Sequence, residues 1–418
     1  MDLLTKLLHL ILLKFVDENL MKILKIDLIF SFLLILCMAS VAFAQENEKT
    51  LFERVAKVEK KQDMFNFYLN MHGSFDSKFN YDGEKGFNQG AFYMRQFRIE
   101  ATGQLNDWLW YRWRQRLNRG NVGNDMIDNL PTSIDYAAIG VKFNKQLSLF
   151  AGKQGVMYGG FEYDANPIEI YQYSEMIEYM SNFMTGVTFT CDFNPNQQLA
   201  FQILDSRNSS QEDTYGSNLP VSRLPLVYTL NWNANMFNNK WQTRYSASVM
   251  EEVHGKYMYY LALGNQFNFS KKCNMYFDIM SSFEQVDRKG IITEMCGGQG
   301  AFNGHNALNA MYNSLVAKIN YRFLPKWNLF AKGMYELASV VKKDGDLSVG
   351  NYRTTVGYIG GIEYYPMESN LHFYLAFIGQ SQIFTEKGKA CINSKGYNNS
   401  NYDTQRVSVG MIYKLPMF

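Results

Sequence analysis

Proline is scarce in this chain, 8 positions in 418 residues, which excludes a collagen-like or proline-rich disordered protein. Long apolar runs are also missing. Past residue 44 nothing approaches the roughly 20 apolar residues a spanning helix needs, and the mean hydropathy is −0.26, so a helical membrane bundle is excluded. Net charge is nearly absent: 41 Lys+Arg against 39 Asp+Glu leave +2, which offers nothing to a nucleic acid. Cys191, Cys273, Cys296 and Cys391 are too few for a disulfide scaffold, lack metal-ligand spacing, and are expected to contribute little. Gly-x-Ser-x-Gly, His-Glu-x-x-His and a glycine-rich phosphate loop do not occur. His72, His254, His305 and His372 are scattered and read as solvated polar residues. No catalytic group, metal or cofactor is therefore expected. What is abundant is aromatic: 28 Tyr, 31 Phe and 6 Trp, residues that suit pleated surfaces and the interfacial girdles of membrane barrels.

The first 44 residues read as an address. Lys22 and Lys25 precede an apolar run from Leu28 to Met38, and Ala42-Phe43-Ala44 supplies small residues for cleavage before Gln45. This is the layout of a secretory signal peptide, with an apolar core too short to span a membrane. A second apolar stretch, Leu7 to Phe15, suggests Met21 as the true start. The signal segment holds equal numbers of acidic and basic side chains, so the rest of the chain keeps the +2 balance. From 45 to 63 the chain is charged and lacks glycine, with Leu51, Val55 and Val58 spaced as one helical stripe. That predicts a short periplasmic helix, either a coiled coil joining subunits or a solvated tether.

From residue 64 to 418 the apolar period changes to two. Phe65, Phe67, Leu69, Met71, Phe75, Phe79 and Tyr81 share one parity, while Asn66, Asn70, His72, Ser74, Asp76, Lys78 and Asn80 take the other. Sixteen such segments follow one another, near 65–81, 90–105, 107–118, 133–144, 146–155, 186–194, 197–206, 224–237, 240–252, 257–270, 273–286, 311–324, 326–341, 353–366, 369–385 and 404–418. Their connections alternate between short polar turns and mostly long loops, and an open edge in lipid would leave backbone groups unpaired. The expected fold is all-β: a 16-stranded antiparallel transmembrane β-barrel in the outer membrane of a Gram-negative bacterium, contacting outer-membrane lipid. On the last strand Pro416 and Phe418 fall on the parity opposite Val407, Val409, Met411 and Tyr413, which implies a bulge near Leu415.

If one parity faces lipid, the other faces water, and its charges govern passage. Leu109, Tyr111 and Trp113 facing outward send Arg112, Arg114 and Arg116 inward as a ladder, with Arg98 on the neighbouring strand and Lys153 a further inward candidate. Guanidinium forks suit phosphate and carboxylate oxygens. The longest loop, 156–185, carries Gly159-Gly160, Glu162, Asp164, Glu169, Glu175 and Glu178 and is rich in Tyr, Met and Phe. It is expected to pack against the wall as a constriction. If its carboxylates face the arginines across an eyelet, the pore has a transverse field. If they bind the arginines directly, the ladder is partly structural. The sequence leaves both open.

Three segments carry a resemblance: Phe92-Tyr93-Met94-Arg95-Gln96-Phe97-Arg98 with Gly103, Trp110-Tyr111-Arg112-Trp113-Arg114-Gln115-Arg116, and Gly152-Lys153-Gln154 leading to Gly159-Gly160. Over residues 46–418 the chain resembles the phosphate-selective porin O and P family of Gram-negative outer membranes, most closely its Bacteroides-group members. The resemblance implies a trimeric barrel, an in-folded third loop and inward basic residues that conduct anions. One departure is Met94-Arg95, where two adjacent arginines are expected; by parity Arg95 faces outward unless a bulge intervenes. The expected function is passive diffusion of small hydrophilic solutes with a bias to anions such as phosphate. The alternatives are a general-diffusion porin without anion selectivity, an outer-membrane hydrolase or an adhesin barrel.

Overall fold

The computed structural model describes residues 64–81, 85–119, 128, 130–393 and 401–417. The expected signal peptide and the helix over 45–63 lie outside these residues. Sixteen antiparallel strands close into one barrel in which each strand pairs with its sequence neighbours and β1 pairs with β16. They are β1 Asn66–Phe79, β2 Phe87–Gln104, β3 Leu109–Arg116, β4 Ile134–Lys142, β5 Leu147–Gly155, β6 Phe183–Asn194, β7 Gln197–Asp205 and β8 Leu226–Met236. The second half is β9 Trp241–Val253, β10 Lys256–Ser270, β11 Cys273–Val286, β12 Leu308–Leu324, β13 Trp327–Val340, β14 Gly350–Tyr364, β15 His372–Phe384 and β16 Tyr402–Pro416. Each strand lies where alternation predicts it, with ends displaced by a few residues.

The alternation has a direct structural expression. Along β13, Trp327, Leu329 and Tyr335 are exposed on the outer face while Asn328, Lys332 and Glu336 are buried inside. Apolar side chains face outward because lipid, unlike water, imposes no cost on them, and the backbone donors that lipid cannot satisfy are spent on the closed ladder. The short turns close through side chains suited to the task. The Asn106 carboxamide oxygen accepts from the amides of Trp108 and Leu109, and Asn144 does the same for Gln146 and Leu147. Aromatic side chains gather at this rim, with Trp327 4.7 Å from Tyr364 and Trp241 stacked between Phe237 and Phe267.

Three expectations need correction or resolution. The bulge implied near Leu415 is absent: the β1–β16 register runs without a shift from Phe79↔Gln405 to Tyr68↔Pro416. The Met417 amide donates to the Phe67 carbonyl, so strand alternation turns the nitrogen of Pro416 away from β1, toward β15, where pairing has already ended at His372↔Ile412. A bulge does occur at Arg95, since Gln96 pairs with His72 and Met94 with Gly73. It turns the Arg95 guanidinium inward onto Asp76 and Ser74. Finally, Cys296 and Cys391 form a disulfide joining the loop after β11 to the loop after β15. The two are 95 residues apart, and barrel closure alone brings their loops together.

Candidate functional site: the inner loop and the basic wall

The chain from 156 to 182 leaves β5 and folds into the barrel. Its entry passes through Gly159 (φ 70°) and Gly160 (φ 86°), both in the left-handed region that favours glycine. Gly160 sits so close to the wall that a Cβ on Gly264 would lie 2.7 Å from its Cα, so both positions need glycine for backbone to touch backbone. Three short turns follow, Phe161–Asp164, Pro167–Glu169 and Glu175–Glu178. Inward carboxylates of the wall receive the unpaired first amides of the first and third, and Asn166 of the loop caps the second. Asp278 accepts from Phe161 and Glu162 at 2.9 and 2.8 Å, and Glu336 accepts from Glu175 and Met176 at 3.0 and 3.1 Å.

The loop's own carboxylates are spent on the same side. Buried Glu162 pairs with Lys332 and accepts from the Ser174 amide at 2.8 Å, and Glu175 pairs with Arg353 at 2.6 Å. Asp164 meets Arg244 at 2.9 Å, and the Tyr171 ring stacks on Phe330 with centroids 4.7 Å apart while its hydroxyl donates to Glu363. Met176, Ile177, Met180 and Tyr158 join wall residues such as Met250, Tyr260 and Met280 in a buried apolar cluster inside the barrel. Burial raises the pKa of Asp164, with Arg244 opposing, and burial raises that of Glu169, with Lys318 opposing. Glu178 lines the same cavity as Arg116 and Arg119. Burial and then Glu162 raise its pKa, against Arg116 and Arg119.

The arginines occupy the facing wall. The register sets Arg98 on β2 beside Arg116 on β3, and Glu100 beside Arg114. The carboxylates between the guanidiniums come from neighbouring strands, not from the loop. Asp135 on β4 is fully buried and takes three arginines at once: Arg98 at 2.8 Å, Arg114 at 3.1 Å and Arg116 at 2.8 Å. Glu100 takes Arg112 through Nε at 2.9 Å. Lys153 pairs with Asp128 at 3.1 Å. Arg114 and Arg116 present only Nε to Asp135; their terminal nitrogens have no hydrogen-bond partner among the described residues. Asp135 escaped the sequence reading because it is a bulged residue: Arg114 pairs with Tyr136 but Gln115 with Ile134, so one extra residue sits in β4 and parity fails there. An acidic residue beside a three-arginine strand was the signal available.

Between loop and wall lies a cavity of about 1190 Å³ that runs from Asn66, Gln104 and Lys414 near the short-turn rim to Arg119 and Asn208 near the long-loop rim. Eight basic side chains line it, Arg98, Arg112, Arg114, Arg116, Arg119, Lys142, Lys153 and Lys414, against four acidic ones, Glu100, Asp164, Glu169 and Glu178. The expected wall residues are therefore together, while Glu162 and Glu175 of the expected loop set lie away from the cavity in the packed half.

A closed barrel, apolar outside and crossed inside by a polar passage, is the architecture of a porin. Residues 65–415 match the family model described as phosphate-selective porin O and P, and the chain belongs to that family. No curated protein matches the sequence. Among solved structures, the outer membrane channel DcaP of Acinetobacter baumannii is similar in fold, with TM-score 0.56, 11% identity, and 86% of this chain and 100% of that one covered. An anion-selective porin from Comamonas acidovorans gives TM-score 0.53 at 10% identity over 85% and 100%. Salmonella typhi OmpF, in complex with daunomycin, gives 0.52 at 14% identity over 84% and 97%. The protein is a passive diffusion channel of the Gram-negative outer membrane.

Proposed function

We propose that this porin favours anions and that Arg98, Arg112, Arg114, Arg116 and Lys153 create the preference, with loop 156–182 setting the bore. One observation carries the reading: three guanidiniums share the single carboxylate of Asp135, leaving uncompensated positive charge on the wall of a narrow passage. A low-dielectric wall focuses such a field along the path, and the open nitrogens of Arg114 and Arg116 are placed to bond oxyanions as they pass. Phosphate and other small anionic solutes fit that chemistry. Glu178 favours a weaker preference, because its negative charge lines the same cavity as Arg116 and Arg119.

The channel reading also carries no catalytic step. The histidines are dispersed: His72 is buried with Nε2 2.7 Å from the Tyr374 hydroxyl, and His305 and His372 bond local backbone carbonyls. We further read the assembly as a homotrimer, which native mass measurement in mild detergent tests. Reversal potential across a planar bilayer under a potassium chloride gradient tests the selectivity. The wild type is expected to prefer chloride, and Arg114→Ala or Arg116→Ala to reduce that preference. One charge about 5 Å from the path in water is worth about 0.8 kcal/mol, a roughly fourfold change in the permeability ratio. No preference in the wild type, or none of these responses, sinks the reading in favour of a general-diffusion porin.

A further inference from the structure

The cavity has a second flank. Beyond β5 the strand side chains that line it carry no charge, with Thr188 and Thr190 on β6, Gln198 on β7, and Asn231 and Asn233 on β8. Asn231 and Asn233 are 3% and 4% exposed, and neither carboxamide oxygen has a hydrogen-bond partner among the described residues. Asn182, at the end of the inner loop, lines the same cavity with its carboxamide oxygen also unpaired. The amide nitrogens of the two strand residues make only long contacts, Asn231 to the Met157 carbonyl and Asn233 to the Gln198 carboxamide oxygen, both at 3.4 Å. Turning either carboxamide to offer its other end to the cavity therefore breaks little. The arginines lean toward this flank, for Arg114 and Arg116 each lie 5.4 Å from the ring centroid of Phe183, the residue after Asn182.

The two flanks call for different partners. A guanidinium only donates hydrogen bonds, so any oxyanion matches the ladder. A carboxamide oxygen only accepts, and chloride or a fully ionised oxyanion brings it no donor. A buried acceptor left without a donor is costly, and a hydroxyl, which both donates and accepts, meets a carboxamide at either end. Resting on the anion-conducting reading above, we propose that the channel selects polyhydroxylated anions, sugar phosphates and sugar acids, with the oxyanion head on Arg114 and Arg116 and the hydroxyls on Asn182, Asn231 and Asn233. At about 1190 Å³ the cavity exceeds an ordinary small-molecule site of about 300–1,000 Å³, so head and body of a hexose phosphate fit in it together.

The test compares glucose 6-phosphate with cyclohexylmethyl phosphate, which share charge, head group and ring size and differ in the hydroxyls, as blockers of chloride current through the full-length channel. Two net hydrogen bonds to carboxamides support a half-blocking concentration about tenfold lower for glucose 6-phosphate. Asn182→Leu, Asn231→Leu and Asn233→Leu, made separately, are each expected to bring the two compounds closer, to within about threefold. Equal block in the wild type overturns the proposal without recourse to any variant, and would mean that water alone serves the carboxamides. A preference for glucose 6-phosphate that survives all three substitutions overturns it too. If the anion reading itself fails, neither compound blocks and the reversal potential in the same membranes shows no chloride preference. That outcome is distinct from an anion-preferring channel indifferent to hydroxyls.

Discussion

The two halves of the lumen use the same chemistry in different stoichiometry. Against β9–β14 the inner loop packs with one cation for each carboxylate: Lys332 with Glu162, Arg353 with Glu175, Arg244 with Asp164. Ser174 completes the bonding of Glu162, loop amides meet the wall carboxylates Asp278 and Glu336, and methionines and tyrosines fill the space between. A buried ion pair holds only when its other bonding positions are satisfied in this way. Against β2–β5 the ratio is three to one at Asp135, and the surplus faces a cavity instead of a protein surface. Matched charge thus anchors a plug, while unmatched charge lines a path. On the reading proposed above, anion preference follows from where the counting fails.

The sharpest way to break that contrast is Asp135→Asn, which removes the shared counter-charge of three arginines. Taking one partner from a buried charge network costs about 3–5 kcal/mol, so the folded barrel should melt at markedly lower temperature in heat-shift electrophoresis. The barrels that do fold should prefer anions more strongly. Next in size is Lys332→Met, which strands buried Glu162 and should loosen the inner loop, seen as larger and noisier single-channel current. The double variant Lys332→Met with Glu162→Gln should recover part of the loss, because the stranded charge is then gone. A full-sized loss in the double variant would mean that the loop is held by its apolar contacts instead.

Smaller effects refine the comparison outside and at the edge of the eyelet. Cross-links closing loops of this size are worth about 2–4 kcal/mol. Cys296→Ser with Cys391→Ser should therefore speed protease nicking of the loops after β11 and β15 and leave ion preference nearly unchanged. The smallest effect is a pH dependence. Glu178 has a pKa raised by burial and by Glu162, so as pH falls it takes up its proton before an unperturbed glutamate does. Losing that negative charge opposite Arg116 removes an attraction for cations, and anion preference should rise with acidity. Glu178→Gln should show the raised preference at neutral pH and flatten the profile; an unchanged slope would assign the titration to another group.

Much of the barrel was legible in the residues. Sixteen alternating segments, the inward ladder Arg112, Arg114, Arg116 and the placement of Arg98 all follow from a period of two, because a strand in lipid allows no other use of its outer face. The reading failed wherever one residue of backbone was inserted. At Arg95 and at Asp135 a bulge carries a charged side chain from the outward to the inward parity, and alternation along the strand does not mark it.

Alternation and turn chemistry were thus enough to dictate strand count, the closed topology and which face meets lipid, since those depend on residue i and its neighbours two positions away. Three things waited for the tertiary structure: the pose of the inner loop, the Cys296–Cys391 link and the three-to-one pairing at Asp135. Each depends on groups tens to hundreds of residues apart meeting across a closed ring, and such meetings are set by register and bulges accumulated around the whole barrel.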